Sequence, residues 1–116
     1  MRRFNRKDPF RFEFALPLDT SFYISRIRGK NFQSSRGKGV IQNISHGGLR
    51  LDTNLELPKD NEVEITFEVD IAGHLIEPIG YIVWTNKSHD RFIYGIHFIS
   101  DDYSEAITRA IKDFQK

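Results

Sequence analysis

The stretch GVIQNISHGGLRLD, residues 39–52, contains two short runs of alternating apolar residues on either side of a polar hinge. The runs, 40–44 and 49–51, have the period of two that is typical of strands. At the end of the first run and between the two lie Asn43, Ser45, His46, Gly47 and Gly48, a polar set rich in the Asn, Ser and Gly that favour turns. The stretch therefore predicts two antiparallel strands joined by a hinge. It leaves open whether the hinge is only a turn or also one wall of a ligand site.

Strand patterns continue on both sides of this hairpin. The segment FRFEFALPL places an apolar residue at positions 10, 12, 14, 16 and 18, which predicts a strand with one buried face. In EVEITFEVDI, the apolar residues of 63–71 likewise alternate with acidic or polar ones. LIEPIGYIVW (75–84) predicts one further strand with Pro78 at a bulge or edge, and RFIYGIHF (91–98) predicts the last strand. The intervening TNKSHD (85–90) has the composition of a hairpin loop.

The end of the chain changes period. In SDDYSEAITRAIKDFQK, residues 100–116, the side chains of Tyr103, Ile107, Ile111 and Phe114 recur at spacings of three and four. This spacing predicts an amphipathic helix, with Ser100 or an aspartate as its N-cap. Six or seven strands followed by one helix predict an all-β fold, a small antiparallel six- or seven-stranded barrel with a C-terminal α-helix.

Length and composition predict one folded domain. The chain has 116 residues, of which 39% are hydrophobic and 28% charged, and this is enough sequence for a real core. Cysteine is absent, which excludes disulfides and thiolate zinc sites. There is neither a signal-peptide h-region nor an apolar run of membrane-spanning length. We expect a cytoplasmic protein with no membrane insertion.

Charge is distributed unevenly along the chain. Residues 1–38 contain ten Lys or Arg and three acidic residues, whereas residues 39–116 contain seven basic and thirteen acidic residues. This asymmetry is compatible with a basic face that binds an anion and also with ordinary solvated surfaces.

Catalytic and metal-binding patterns are not supported by the sequence. The segment around Ser45 resembles a nucleophile elbow, but Asn43 stands where that motif needs glycine, and strands are predicted on both sides. The four histidines share no metal-ligand spacing, and no glycine-rich loop leads into a helix. We therefore expect no enzyme activity, no metal and no cofactor.

The N-terminal arginines and the hinge together offer the chemistry of a nucleotide site. A guanidinium group forms two hydrogen bonds to one phosphate and can also pair with or stack on guanine. Asn43 and Ser45 supply an amide and a hydroxyl, and glycine allows a close approach to the backbone. The alternative interpretation of the same residues is a basic terminal segment and an ordinary turn.

Two motifs in this order resemble the PilZ domain family, the bacterial receptor module for cyclic di-GMP. Arg2-Arg3-Phe4-Asn5-Arg6 matches R-x-x-x-R, and Asn43-Ile44-Ser45-His46-Gly47-Gly48 matches [D/N]-x-S-x-x-G. The late segments GYIVW and YGIHFIS and the terminal helix are also similar to the family, so the resemblance covers essentially the whole chain.

The resemblance implies a specific set of ligand-binding residues. Arg2 and Arg6, with Arg3 as a helper, would contact phosphates and guanine from a flexible N-terminal arm (1–9), while residues 10–116 would form the barrel and helix. Asn43, Ser45 and Gly48 would surround a guanine. Gly47 and Trp84 are further candidates, and a core or barrel-surface role is the alternative for Trp84.

Two functions follow from the resemblance. The first is a cyclic di-GMP receptor whose arm changes conformation to regulate a protein partner in motility, biofilm or exopolysaccharide pathways. The second is a ligand-independent interaction module of pilus or motility machinery. The intact motifs favour the receptor. A barrel that binds single-stranded nucleic acid is disfavoured, because Phe10, Phe12 and Phe14 alternate as core residues do; we expect no nucleic-acid partner.

Overall fold

A computed structural model describes residues 11–116 of the chain. The predicted arm 1–9, with Arg2, Arg3 and Arg6, lies outside the described residues. Eight strands lie within the described range: β1 (Arg11–Ile27), β2 (Lys30–Asn31), β3 (Gly37–Ser45), β4 (Gly48–Thr53), β5 (Val63–Ile71), β6 (His74–Ile76), β7 (Ile79–Ser88) and β8 (Arg91–Phe98). A 3₁₀ turn (Asp101–Tyr103) then leads into helix α1 (Ser104–Phe114).

The strands form one antiparallel sheet that closes into a ring. Their order is β2-β1-β3-β4-β8-β7-β5-β6, and β1 also pairs with β5. Six strands therefore follow one another around the ring, while β2 and β6 are short additions at its ends. The predicted fold class, a small antiparallel barrel with a C-terminal helix, is confirmed.

Strand β1 is long because it pairs with a different strand on each side of the ring. Its first part pairs with β3, from Arg11 opposite Ser45 onwards, and its second part pairs with β5. The register with β3 shifts between Glu13 and Leu18. Because of this bulge the predicted alternation fails at Leu16, which is 85% exposed rather than buried. Phe14 is buried as predicted.

Strand β5 follows its predicted pattern throughout, since its apolar residues at 63, 65, 67, 69 and 71 are all buried. It turns into β6 through Ala72 and Gly73, which both have positive φ, as a tight hairpin turn requires. The prediction of one strand over 75–84 is wrong, because the chain leaves the sheet at Glu77 and Pro78 between β6 and β7. The predicted loop 85–90 is also wrong: β7 remains paired with β8 as far as Ser88.

Helix α1 covers one end of the ring. Ile107, Ala110 and Ile111 are buried, as the helical spacing predicts. The Ser100 hydroxyl caps the 3₁₀ turn that leads into α1, because it accepts a hydrogen bond from the Asp102 amide. Phe114 contacts the ring of Phe14 edge-on, with centroids 5.4 Å apart. No helix in residues 11–116 is long and apolar enough to cross a membrane.

Candidate ligand site

A cavity of about 680 Å³ lies beside the β3–β4 turn, on the outer face of strands β4, β8 and β7. This volume is within the ordinary range for small-molecule sites. Its lining combines cationic, aromatic, amide and backbone groups. The lining residues are Arg11, Asn43, His46, Gly47, Gly48, Leu49, Arg50, Val83, Trp84, Gly95, Ile96, His97 and Asp101.

Arg11 connects the start of β1 to the hinge motif. Its guanidinium donates one hydrogen bond to the side-chain oxygen of Asn43 and another, of 3.2 Å, to the hydroxyl of Ser45. Pairing of β1 with β3 brings these side chains together, because Arg11 lies opposite Ser45 and Glu13 opposite Asn43. Arg11 was not among the predicted site residues. The signal for it was its place at the beginning of the first predicted strand.

Ser45 organises the turn from within. Its side chain is fully buried, and its hydroxyl donates to the carbonyl of Gly48 while accepting from the amide of Gly47, both at 3.3 Å. With the bond from Arg11, the hydroxyl uses its one donor and both acceptor positions. Ser45 therefore holds the hinge in shape and does not itself line the cavity.

Gly48 is needed because two strands approach closely. A Cβ atom at this position would lie 2.0 Å from the carbonyl oxygen of Ile96 on β8. The absence of a side chain therefore permits the β4–β8 pairing that forms the floor of the cavity. Gly48 lines that floor together with Gly47.

Trp84 lies on the barrel surface and covers Gly95, its partner across the β7–β8 pairing. A Cβ atom on Gly95 would lie 2.0 Å from the indole Nε1, so the ring rests directly on the neighbouring backbone. The side chain is 41% exposed and lines the cavity. Trp84 therefore lies on the barrel surface and not in the core, and its contact with a ligand stays a prediction.

Arg50 contributes a cation that the sequence analysis missed. Its guanidinium carbon lies 5.6 Å from the centre of the Trp84 ring, a cation–π distance. Its Nε is buried and has no hydrogen-bond partner in the described part of the chain. The alternation of Leu49, Arg50 and Leu51 could have identified it, since residue 50 must face away from a core that takes residues 49 and 51.

His46 connects the cavity to helix α1. Its Nε2 lies 2.8 Å from the Thr108 hydroxyl, which itself donates to the carbonyl of Ser104 at 3.0 Å. Because that hydroxyl has one proton, Nε2 of His46 is the donor whenever Thr108 donates to Ser104. A hydrogen bond between side chains 62 residues apart in sequence therefore joins the hinge to the helix.

The predicted site residues divide into three groups. Asn43, Gly47, Gly48 and Trp84 lie together around the cavity, and Ser45 supports them from the buried side of the hinge. Arg2, Arg3 and Arg6 lie outside the described residues. Within residues 11–116 no group of three or more His, Cys, Asp or Glu side chains is placed to hold a metal ion.

Comparison with known proteins decides the family. The sequence profile of the PilZ domain matches residues 2–113. The chain belongs to the PilZ domain family. No curated protein sequence shows significant similarity to it.

Solved PilZ structures share the fold at low sequence identity. The PilZ domain of CeSA from a cellulose-synthesizing bacterium is 12% identical with a TM-score of 0.61, and the match covers 92% of this chain and 99% of that one. The Borreliella burgdorferi PlzA protein in complex with c-di-GMP is 16% identical with a TM-score of 0.60, covering 97% and 42%. The K. pneumonia MrkH–c-di-GMP complex is 16% identical with a TM-score of 0.62, covering 96% and 52%. The PilZ domain described here thus spans about half or less of the last two proteins.

Proposed function

We propose that this PilZ domain is a receptor for cyclic di-GMP and that the ligand binds in the cavity beside the β3–β4 turn. The observation that carries the proposal is the pairing of Trp84 and Arg50 in that cavity. An exposed aromatic face can stack on a base, and a buried guanidinium N–H without a partner can donate a hydrogen bond to an anionic or carbonyl oxygen. The occurrence of c-di-GMP in the PlzA and MrkH complexes supports the choice of ligand.

The other residues of the site have complementary roles in this proposal. Gly47 and Gly48 leave the backbone open to the ligand, and Arg11 holds the Asn43 amide and the Ser45 hydroxyl in place. Arg2, Arg3 and Arg6, from the arm 1–9, supply guanidinium groups for the phosphates. The receptor acts without catalysis: binding draws the arm towards the cavity, and this rearrangement regulates a cytoplasmic protein partner.

Isothermal titration tests the proposal. We expect the purified protein to bind cyclic di-GMP at micromolar concentration or tighter and to bind neither GTP nor cyclic di-AMP comparably. Arg50→Met keeps the aliphatic stem but removes the charged donor, so the Kd for cyclic di-GMP should rise about 10- to 100-fold, the range for a charged hydrogen bond.

The matched control is Arg109→Met, on the exposed face of α1 and away from the cavity. This variant should bind cyclic di-GMP as the unmodified protein does. Absence of binding by the unmodified, folded protein would overturn the proposal and favour a ligand-independent PilZ interaction module of pilus or motility machinery.

A further inference from the structure

Asp101 places a carboxylate at the edge of a cavity that is otherwise cationic, polar or apolar. It begins the 3₁₀ turn after β8 and lines the cavity with Arg11 and Arg50. In residues 11–116 its side chain has no hydrogen-bond or ion-pair partner. Asp101 is exposed and can therefore meet a ligand, but its negative charge would be unfavourable beside the phosphates of a nucleotide and is better placed against another part of the ligand.

The ordinary role of an aspartate here is to stabilise a helix N-terminus. Asp101 and Asp102 both lie in the first turn and both complement the helix dipole. Asp102 provides this stabilisation without lining the cavity. Helix stabilisation therefore accounts for an acidic residue in the turn but not for its position on the cavity wall.

The Asn43 side chain by itself does not offer enough free hydrogen-bond acceptors for the pairing edge of guanine. Its side-chain oxygen accepts a hydrogen bond from Arg11, so one of its two acceptor positions is already used within the protein. The pairing edge of guanine presents two adjacent donors, N1–H and the N2 amino group, and needs acceptors for both. A carboxylate offers two acceptor oxygens side by side, whereas Arg11 and Arg50 offer only donors.

We propose that Asp101 is a specificity-determining residue of this site, which accepts hydrogen bonds from N1–H and N2–H of a guanine base. This inference rests on the proposed function. It predicts discrimination against adenine, because adenine has an acceptor at N1 that would face the carboxylate. It also predicts discrimination against hypoxanthine, which keeps N1–H but lacks the N2 amino group.

The test compares the affinities of cyclic di-GMP and cyclic di-IMP, its hypoxanthine analogue, by isothermal titration. The unmodified protein should bind cyclic di-GMP about tenfold or more tightly than cyclic di-IMP, a range typical of one hydrogen bond to a charged group. Asp101→Ala should reduce this ratio to about one. Loss of the negative charge affects both ligands equally, so the ratio isolates recognition of the N2 amino group.

Asp102→Ala is the matched control, since it alters the same turn outside the cavity, and it should keep the original ratio. A ratio unchanged by Asp101→Ala, or a ratio near one in the unmodified protein, would overturn the assignment while leaving the receptor proposal intact. If the unmodified protein bound neither dinucleotide, the proposed function would fail, and the role of Asp101 with it.

Discussion

Gly48 and Gly95 lie on the neighbouring, paired strands β4 and β8, and each is required for a different reason. At Gly48 an added methyl group would meet the backbone oxygen of Ile96, whereas at Gly95 it would meet the side chain of Trp84. Backbone in a paired strand cannot move without breaking the sheet, but an indole on the surface can rotate away. Gly48 is therefore required for the pairing of the strands, whereas Gly95 is required for the position of Trp84 in the ligand site.

Gly48→Ala should lower the free energy of unfolding by about 1–3 kcal/mol, the usual range for overpacking, with a corresponding fall in Tm. Gly95→Ala should displace Trp84 instead. Since the chain contains one tryptophan, its fluorescence spectrum reports this residue alone. We expect a clear spectral change in Gly95→Ala; the opposite pattern, with the larger Tm loss at Gly95, would contradict the assignment.

Sequence reasoning identified Asn43, Ser45 and Gly48 as one motif but could not distinguish their roles. Ser45 is saturated with hydrogen bonds inside the hinge, and Gly48 meets a strand 48 residues further along the chain. The hydrogen bond from Arg11 to Ser45 and the contact of Gly48 with Ile96 both depend on partners distant in sequence. Local pattern places Arg11 at the start of a strand and Arg50 on an outward face, but only the sheet pairing brings the two to the cavity.

At the scale of elements, the hydrogen bond between His46 and Thr108 attaches α1 to the hinge. Thr108→Val removes the hydroxyl but keeps a β-branched side chain of similar shape. A double-mutant cycle of His46→Ala and Thr108→Val should yield a coupling free energy of about 0.5–1.5 kcal/mol in thermal unfolding. Additive effects would mean that this hydrogen bond contributes nothing to the attachment of α1.

The loop before β3 is held to β5 by an ion pair. Arg36 donates two hydrogen bonds, of 2.9 and 2.8 Å, to the carboxylate of Glu68. These bonds, together with one from Ser21, lower the pKa of Glu68 to about 2 from its ordinary 4.5. The folded protein thus holds this carboxylate ionised at a pH where the unfolded chain takes up a proton.

Stability should therefore depend on pH through Glu68. The stabilisation is complete above pH 4.5 and is lost as the pH falls towards 2, because the unfolded state binds the additional proton. Glu68→Gln should lower Tm at pH 7 and flatten the decrease of Tm below pH 4.5. Glu105→Gln, on the exposed side of α1 with its nearest arginine 3.9 Å away, is the control and should follow the unmodified protein. If the Tm of Glu68→Gln decreased below pH 4.5 as steeply as that of the unmodified protein, this account would be contradicted.

Element type was predictable where one face of an element is buried along its whole length. The alternation of β5 and the three- and four-residue spacing of α1 both correspond to the observed burial. Prediction failed at Leu16 and beyond Trp84, where a bulge or an extended pairing decides the structure. Such features are set by the neighbouring strand and leave no local pattern.

At the scale of the molecule, closure depends on one strand. β1 pairs with β3 through its first part and with β5 through its second, so a single segment joins the two sides of the sheet. The sequence suggested a barrel by counting strands, but it could not show which pair completes the ring. Residues 11–116 close this ring and supply an extensive buried core without the first ten residues.

Because residues 11–116 close the ring by themselves, substitution of the N-terminal arginines should affect ligand binding more than stability. Under the proposed function, cyclic di-GMP at 100 times its Kd should stabilise the protein by about 2.7 kcal/mol, which for a domain of this size raises Tm by about 10 °C. Arg2→Ala and Arg6→Ala should leave Tm without ligand nearly unchanged but abolish most of the rise at the same ligand concentration. The rise should also shrink with added salt, because arginine–phosphate attraction is screened. A full ligand-induced rise in both arginine variants would show that the residues around the cavity bind the dinucleotide without them.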